Sequence, residues 1–147
     1  MTAPGKICTF RVHGLLFGIP AGQVQEVLRH QPITPVPLTP PEVAGLINLR
    51  GQIVPAIDLP RQLGLAARDD RPPLANLVLR GPHGPVSLLI EEIGDVIEIG
   101  ELAVEPVPDT VAAPLRRLLA GVCPLPQGLL LLLDAGHALS GIEGNGS

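Results

Sequence analysis

Two carboxylates stand where acid–base chemistry is conceivable. Leu132-Leu133-Asp134-Ala135-Gly136 has the apolar-apolar-Asp-x-Gly outline of an aspartic hydrolase arm, and Asp58 ends a comparable apolar run. Such enzymes need two aspartates sharing one proton. Asp58 is followed by Leu59-Pro60, which lacks the glycine that lets backbone approach, and Ala135 lacks the hydroxyl. N-capping of a short turn accounts for both acids. Altered peptide hydrolysis in an Asp134→Asn variant would restore the catalytic reading. Cys123 with His137 forms a conceivable nucleophile–base pair but has no supporting motif, and two cysteines, Cys8 and Cys123, read as small buried hydrophobes. His13, His30, His83 and His137 show no ligand spacing, so no metal centre or cofactor is expected. Gly81-Pro82-His83-Gly84-Pro85 is no phosphate loop, because its prolines remove the amide donors a phosphate would need.

A charge on a rigid turn is the stronger signal. In Gly45-Leu46-Ile47-Asn48-Leu49-Arg50-Gly51-Gln52-Ile53-Val54-Pro55-Ala56-Ile57-Asp58-Leu59, two short branched runs flank Arg50-Gly51. Gly takes positive φ without steric cost, so Gly51 marks a tight turn between two strands, with Arg50 at its tip or shoulder. Asp58 caps the turn that follows. Such a display suits docking, and nothing in it is a nucleophile.

Composition bounds the rest. The chain has 147 residues, 46% apolar, with 17 Gly and 18 Pro, which punctuate many short strands. Phe10 and Phe17 are the only aromatics, so the core is aliphatic and stacking platforms for nucleic acid are missing. Net charge is −4 and no basic cluster occurs; Arg116-Arg117 is a short solvated step. The start, 1–6, holds no apolar segment and the longest aliphatic run, 129–133, is far too short to cross a membrane. A cytoplasmic protein with reduced thiols is expected.

Taken in order, residues 7–12 and 15–19 read as a hairpin around His13-Gly14, residues 20–23 as one helical turn, and residues 24–29 as a strand. In that strand Val24 and Glu26 share one face, Gln25, Val27 and Arg29 the other. Five prolines in 31–41 make an extended crossing. After the central hairpin comes a charged loop, 66–73, and then the pattern restarts. Residues 74–80 and 86–90 form a hairpin, and 91–98 resembles 22–29 shifted by 69 positions, with Val24 on Ile93, Glu26 on Asp95 and Val27 on Val96. A second Pro-bearing crossing, 105–108, leads to a second Gly-to-Asp unit: Gly45 to Asp58 spans 13 positions, and so does Gly121 to Asp134. Two copies of one β unit of this kind predict small barrels that share a core. Apolar residues on both sides of the strands leave at least one aliphatic side chain exposed, which suits a docking partner.

The motifs Gly18-Ile19-Pro20, Val24-Gln25-Glu26-Val27, Ile33-Thr34-Pro35-Val36-Pro37, the whole Gly45–Leu59 segment, Leu88-Leu89-Ile90-Glu91-Glu92-Ile93-Gly94-Asp95-Val96 and Gly128-Leu129-Leu130-Leu131-Leu132-Leu133-Asp134 together resemble the CheW-like family. The resemblance implies an all-β fold of two intertwined SH3-like five-stranded β-barrels with short helical turns. It implies one domain over 6–140, with about 6–65 mainly in the first barrel, about 74–140 mainly in the second, strands shared, and a flexible tail at 141–147. It implies a non-catalytic chemotaxis adaptor that joins the cytoplasmic tip of chemoreceptors to the regulatory domain of a CheA-type histidine kinase, or the equivalent scaffold of a non-flagellar, pilus-type system. Glu26 and Arg50 are implied to face each other, and Val24, Glu26, Val27, Gly45, Asn48, Leu49, Arg50 and Gly51 to form the partner-binding set. Burial of that pair would make removal of one member cost ~3–5 kcal/mol. Where the family commonly has Val-Asp this chain has Glu91-Glu92, and Pro124 and Pro126 require the strand in the last hairpin to be an edge or to break early.

Overall fold

The computed structural model describes residues 5–38, 40, 43–62, 75–98, 104–134 and 136. The charged loop at 66–73 and the tail at 141–147 lie outside the described residues. Ten strands account for most of the remainder: β1 (Lys6–Val12), β2 (Leu15–Pro20), β3 (Val24–Arg29), β4 (Val43–Leu49), β5 (Gln52–Asp58), β6 (Ala75–Gly81), β7 (Gly84–Ile90), β8 (Glu92–Glu98), β9 (Leu119–Leu125) and β10 (Gly128–Leu133). A 3-10 turn, Ala21–Gln23, and two short helices, α1 (Leu59–Gln62) and α2 (Ala113–Leu118), complete it. The α2 helix is a finding beyond the sequence reading, which assigned Arg116-Arg117 no element. Its signal was present: Pro114 sits in the first turn, where a missing N–H costs nothing.

The strands form two five-stranded sheets, β8-β1-β2-β10-β9 and β3-β6-β7-β5-β4. Replacing β1 by β6, β2 by β7, and so on through β5 by β10 turns the first order into the second. Even the register survives. Val24 stands opposite Leu79 and Val27 opposite Leu77, while Ile93 stands opposite Phe10 and Val96 opposite Cys8. The parallel pairs agree as well: Ala56 with Ser87, and Leu132 with Gly18. The internal repeat is therefore structural, with shifts of 69 and 76 positions.

Each sheet takes its first hairpin from one repeat and its other three strands from the other. The two halves share strands: 24–58 forms one sheet with the hairpin 75–90, and 92–98 and 119–133 form the other with the hairpin 6–20. The parallel pairings β2–β10 and β5–β7 cause this, because parallel neighbours require a long crossover rather than a tight turn. The crossings act alike in both copies. Thr34 bridges Leu46, and Glu105 bridges Val122, each through two backbone hydrogen bonds of 2.8–2.9 Å.

Three apolar clusters result. Ile47, Leu49, Val54, Ala56, Val78 and Leu89 fill the second sheet; Ile7, Cys123, Leu130 and Leu132 fill the first. The third and largest draws on both, with Phe10 and Phe17 stacked at 5.7 Å between ring centroids and joined by Ile57, Leu77, Leu88, Leu118 and Leu133. The third cluster is buried by residues that both sheets supply. The proline-bearing β9 is an edge strand, as its missing amides require.

Candidate docking site

Leu49 and Gln52 close a two-residue loop in which Arg50 and Gly51 both have positive φ, +52° and +86°. Positive φ at both central residues matches the right-handed twist of the flanking strands. The Asn48 side chain holds this turn: its Oδ1 accepts the Gly51 N–H at 2.9 Å. Asn is well suited to that task, since its carbonyl substitutes for a backbone acceptor.

The turn carries Arg50 across to β3. Its Nη1 donates to Glu26 Oε2 at 2.8 Å and its Nη2 to Glu26 Oε1, a two-armed fork. Forked Arg–carboxylate pairs fix geometry as well as charge. Glu26 is set by the β3–β6 register, just past a bulge between Val24 and Glu26. The Arg50 side chain is 67% exposed and that of Glu26 21%. The pair is thus not buried, and the buried-pair cost expected from sequence does not apply.

The other expected residues separate into two groups. Asn48, Gly51 and Val27 lie at the surface, Val27 at 40% exposure, and Val24 is half-buried against the shared core. Leu49 is 7% exposed and belongs to the second-sheet core, and Gly45 is buried. These two present little side-chain surface in the folded chain. Gly45 has φ +155°, and a Cβ there would run into the Thr34 carbonyl. It is needed because the crossing chain lies against it. Ile53, 62% exposed and opposite Asn48 on β5, was missed. Val27 is an exposed aliphatic of the kind the two-sided apolar pattern called for, and Ile53 is a further one that the register places beside the turn.

Of the residues weighed for catalysis, Asp58 and Asp134 stand at the ends of strands in different sheets, and His137 lies outside the described residues. Asp58 Oδ1 accepts the Arg61 N–H at 3.3 Å, and Oδ2 stands 3.6 Å from Arg61 Nε, so this acid caps α1. Asp134 follows β10 in the other sheet, its N–H donating to the Leu118 carbonyl at 2.7 Å. Cys8 and Cys123 are free and buried; burial pushes both thiols up, and Glu105 adds to the rise at Cys123. No metal-binding cluster occurs among the described residues, and no helix among them is long and apolar enough to cross a membrane.

Two five-stranded sheets around three cores, with an arginine forked onto a neighbouring strand at an exposed turn, define a small-barrel binding module. The chain belongs to the CheW-like family, whose domain model matches residues 6–143. It is 27% identical over 129 residues to the chemotaxis protein CheW of Rhizobium meliloti, covering 88% of this chain and 83% of that one. It is 28% identical over 134 residues to the chemotaxis protein CheW of Bacillus subtilis, covering 91% and 86%. The crystal structure of the scaffolding protein TtCheW from Thermoanaerobacter tengcongensis superposes with a TM-score of 0.78 at 28% identity, covering 89% of each chain. The sheets correspond to the two SH3-like barrels of that fold, and the family supports a chemotaxis scaffold.

Proposed function

We propose that this chain is a non-catalytic cytoplasmic adaptor that couples the cytoplasmic tips of chemoreceptors to the regulatory domain of a CheA-type histidine kinase. One barrel receives the kinase's regulatory barrel, and the groove between the barrels receives the receptor's helical tip. The signal passes as a change in relative geometry, without chemistry. The observation that carries this reading is the Arg50–Glu26 fork, which holds an exposed guanidinium in one orientation on a turn locked by Asn48. Val24, Val27, Asn48 and Gly51 surround it or support it, and Ile53 joins them as an exposed apolar neighbour. The membership in a family of chemotaxis scaffolds supports the choice of partners.

The test is a pair of separate pull-downs, one with a receptor cytoplasmic tip and one with a kinase regulatory domain. Both should be retained by the wild-type chain, and Arg50→Gly should retain less of at least one. Binding to neither would overturn the proposal.

A further inference from the structure

One sheet interior holds a buried amide where the other has an aliphatic side chain. Asn76 on β6 and Ser87 on β7 are both fully buried. Asn76 Nδ2 donates to Ser87 Oγ at 2.9 Å, and Asn76 Oδ1 accepts the Gln31 N–H at 2.9 Å. Gln31 stands just past the end of β3, and its own Nε2 donates to the Arg29 carbonyl at 2.8 Å. A side chain from the interior thus ties the start of the crossing to β6. Further along, Ile33 packs on the second-sheet core, and Thr34 exchanges two backbone hydrogen bonds with Leu46 on β4.

The strands β3 and β4 stand at opposite ends of their sheet's order. Two links join them. One is the crossing, which runs from Arg29 to Leu46; the other is the fork between Glu26 and Arg50. Glu26 precedes Arg29 on β3, and Arg50 follows Leu46 just beyond β4, so the two links lie close together along both strands. The crossing sets the separation at which the fork forms.

The other copy shows what a crossing needs. Glu105 exchanges the same two backbone bonds with Val122. The places of Asn76 and Ser87 are taken there by Ile7 and Gly18, and Ile7 Cγ2 lies 2.7 Å from where a Gly18 Cβ would be. An aliphatic interior is therefore enough to seat a crossing. The copy with Ile7 is also the copy with Pro126 at the position of Arg50. The buried amide and the fork occur together. A buried polar group bonded at both ends adds little net stability but rigidifies its surroundings and selects one arrangement.

We infer that Asn76 is a positioning residue for the docking site: it holds Gln31 to β6, fixes the crossing, and so sets the spacing of β3 and β4 at which Arg50 meets Glu26. The purpose of the fork rests on the proposed adaptor role, whereas the link from Asn76 to the fork is a property of the chain alone.

The experiment uses Asn76→Ile/Ser87→Gly, which installs the other copy's interior and removes the tie while keeping the fold. The milder Ser87→Ala removes only the hydroxyl that orients the amide. In the double variant the amides of Gln31, Thr34 and Leu46 should exchange hydrogen at least about tenfold faster, with those of Glu105 and Val122 unchanged. The Glu26→Ala/Arg50→Ala cycle is then repeated in this background by urea denaturation. In the wild type the pair contributes up to about fivefold to the folding constant, and in the double variant that coupling should fall below about twofold. A role confined to stability would lower the folding constant and leave the coupling unchanged. Ser87→Ala should move exchange and coupling the same way by less. In the pull-downs, the double variant should retain less of whichever partner Arg50→Gly retains less of. Unchanged exchange and coupling in both variants would overturn the inference. So would full partner retention by a double variant whose coupling has fallen, while Arg50→Gly still loses that partner. Full retention by Arg50→Gly refutes the docking role of the fork instead, and exchange and coupling still decide whether Asn76 positions it.

Discussion

Arg50 carries two opposing local energies, and separating them tests the account of the site. Its fork to Glu26 is an exposed charge pair, which contributes at most ~1 kcal/mol to stability because water and salt screen it. Its φ of +52° is a left-handed conformation that costs a side chain ~1–2 kcal/mol and costs glycine nothing. Arg50→Ala loses the pair and keeps the strained backbone. It should lower stability by about 1 kcal/mol, a fall in Tm of roughly 3–4 °C for a chain of this length. Arg50→Gly loses the pair and releases the strain, so its stability should stay within about 0.5 kcal/mol of the wild type or exceed it. Binding should separate from stability: both variants lose the guanidinium, so both should bind partner more weakly. Urea denaturation and titration calorimetry on Arg50→Ala, Arg50→Gly, Glu26→Ala and the Glu26→Ala/Arg50→Ala double variant would measure both. The double-variant cycle should return a coupling near 1 kcal/mol. Full partner affinity in Arg50→Gly would refute the role of the fork, and zero coupling would refute the pair itself.

Gly45→Ala should destabilise by about 3 kcal/mol or more in urea denaturation, because its φ of +155° is almost closed to other residues and the Cβ meets the Thr34 carbonyl. Gly121→Ala, at the equivalent position but with no positive φ, should cost less, although its Cβ would meet Glu105 O at 2.9 Å. Asn76 is fully buried, accepts the Gln31 N–H at 2.9 Å and donates to Ser87 Oγ at 2.9 Å, so Asn76→Ala should cost about 1–3 kcal/mol. The other repeat places Ile7 and Gly18 there, and Gly18 makes room for the Ile7 side chain; Asn76→Ile/Ser87→Gly should recover part of that loss by thermal denaturation. The raised thiols predict slow alkylation of Cys8 and Cys123 in the folded chain and a fast reaction in urea. Their folded pKa values lie above the ordinary 9.0, so keeping the thiols neutral stabilises the fold below that pH and the gain fades as pH rises through the folded values. The Tm should accordingly fall above about pH 9, and less steeply in Cys8→Ala.

The hairpins were legible because their signals are local. His13-Gly14 and Arg50-Gly51 announce two-residue turns, and both take positive φ at both residues. The alternation of Val24, Glu26 and Leu28 with Gln25, Val27 and Arg29 returned as alternating half-buried and exposed positions. The five-residue turn expected at 81–85 is tighter in the structure, since Gly81 pairs with Gly84 and leaves Pro82-His83 as the loop. Leu49 looked like a contact residue because it sits beside Arg50, yet strand geometry sends neighbours to opposite faces, and it is buried. Gly45 looked functional by its place in the motif, and its need arises from a crossing chain eleven positions away in sequence, at Thr34.

By itself the sequence determined the strands, their turns, the internal repeat and an arginine at one turn without a counterpart in the second copy. Those features depend on alternation, glycine φ and residue identity, which are properties of short segments. The exchange of hairpins between repeats was decided only in three dimensions. Either hairpin fits either set of partners by register, and the choice follows from the parallel β2–β10 and β5–β7 pairings and from burying Phe10, Phe17 and their neighbours in a core that both sheets share. The same tertiary exchange pairs Thr9 with Asp95 across 86 positions, and the folding of one sheet brings Glu26 of β3 to Arg50 at the β4–β5 turn. Contacts between segments so distant in the chain leave no local pattern to read, because they are selected by the energy of the whole core.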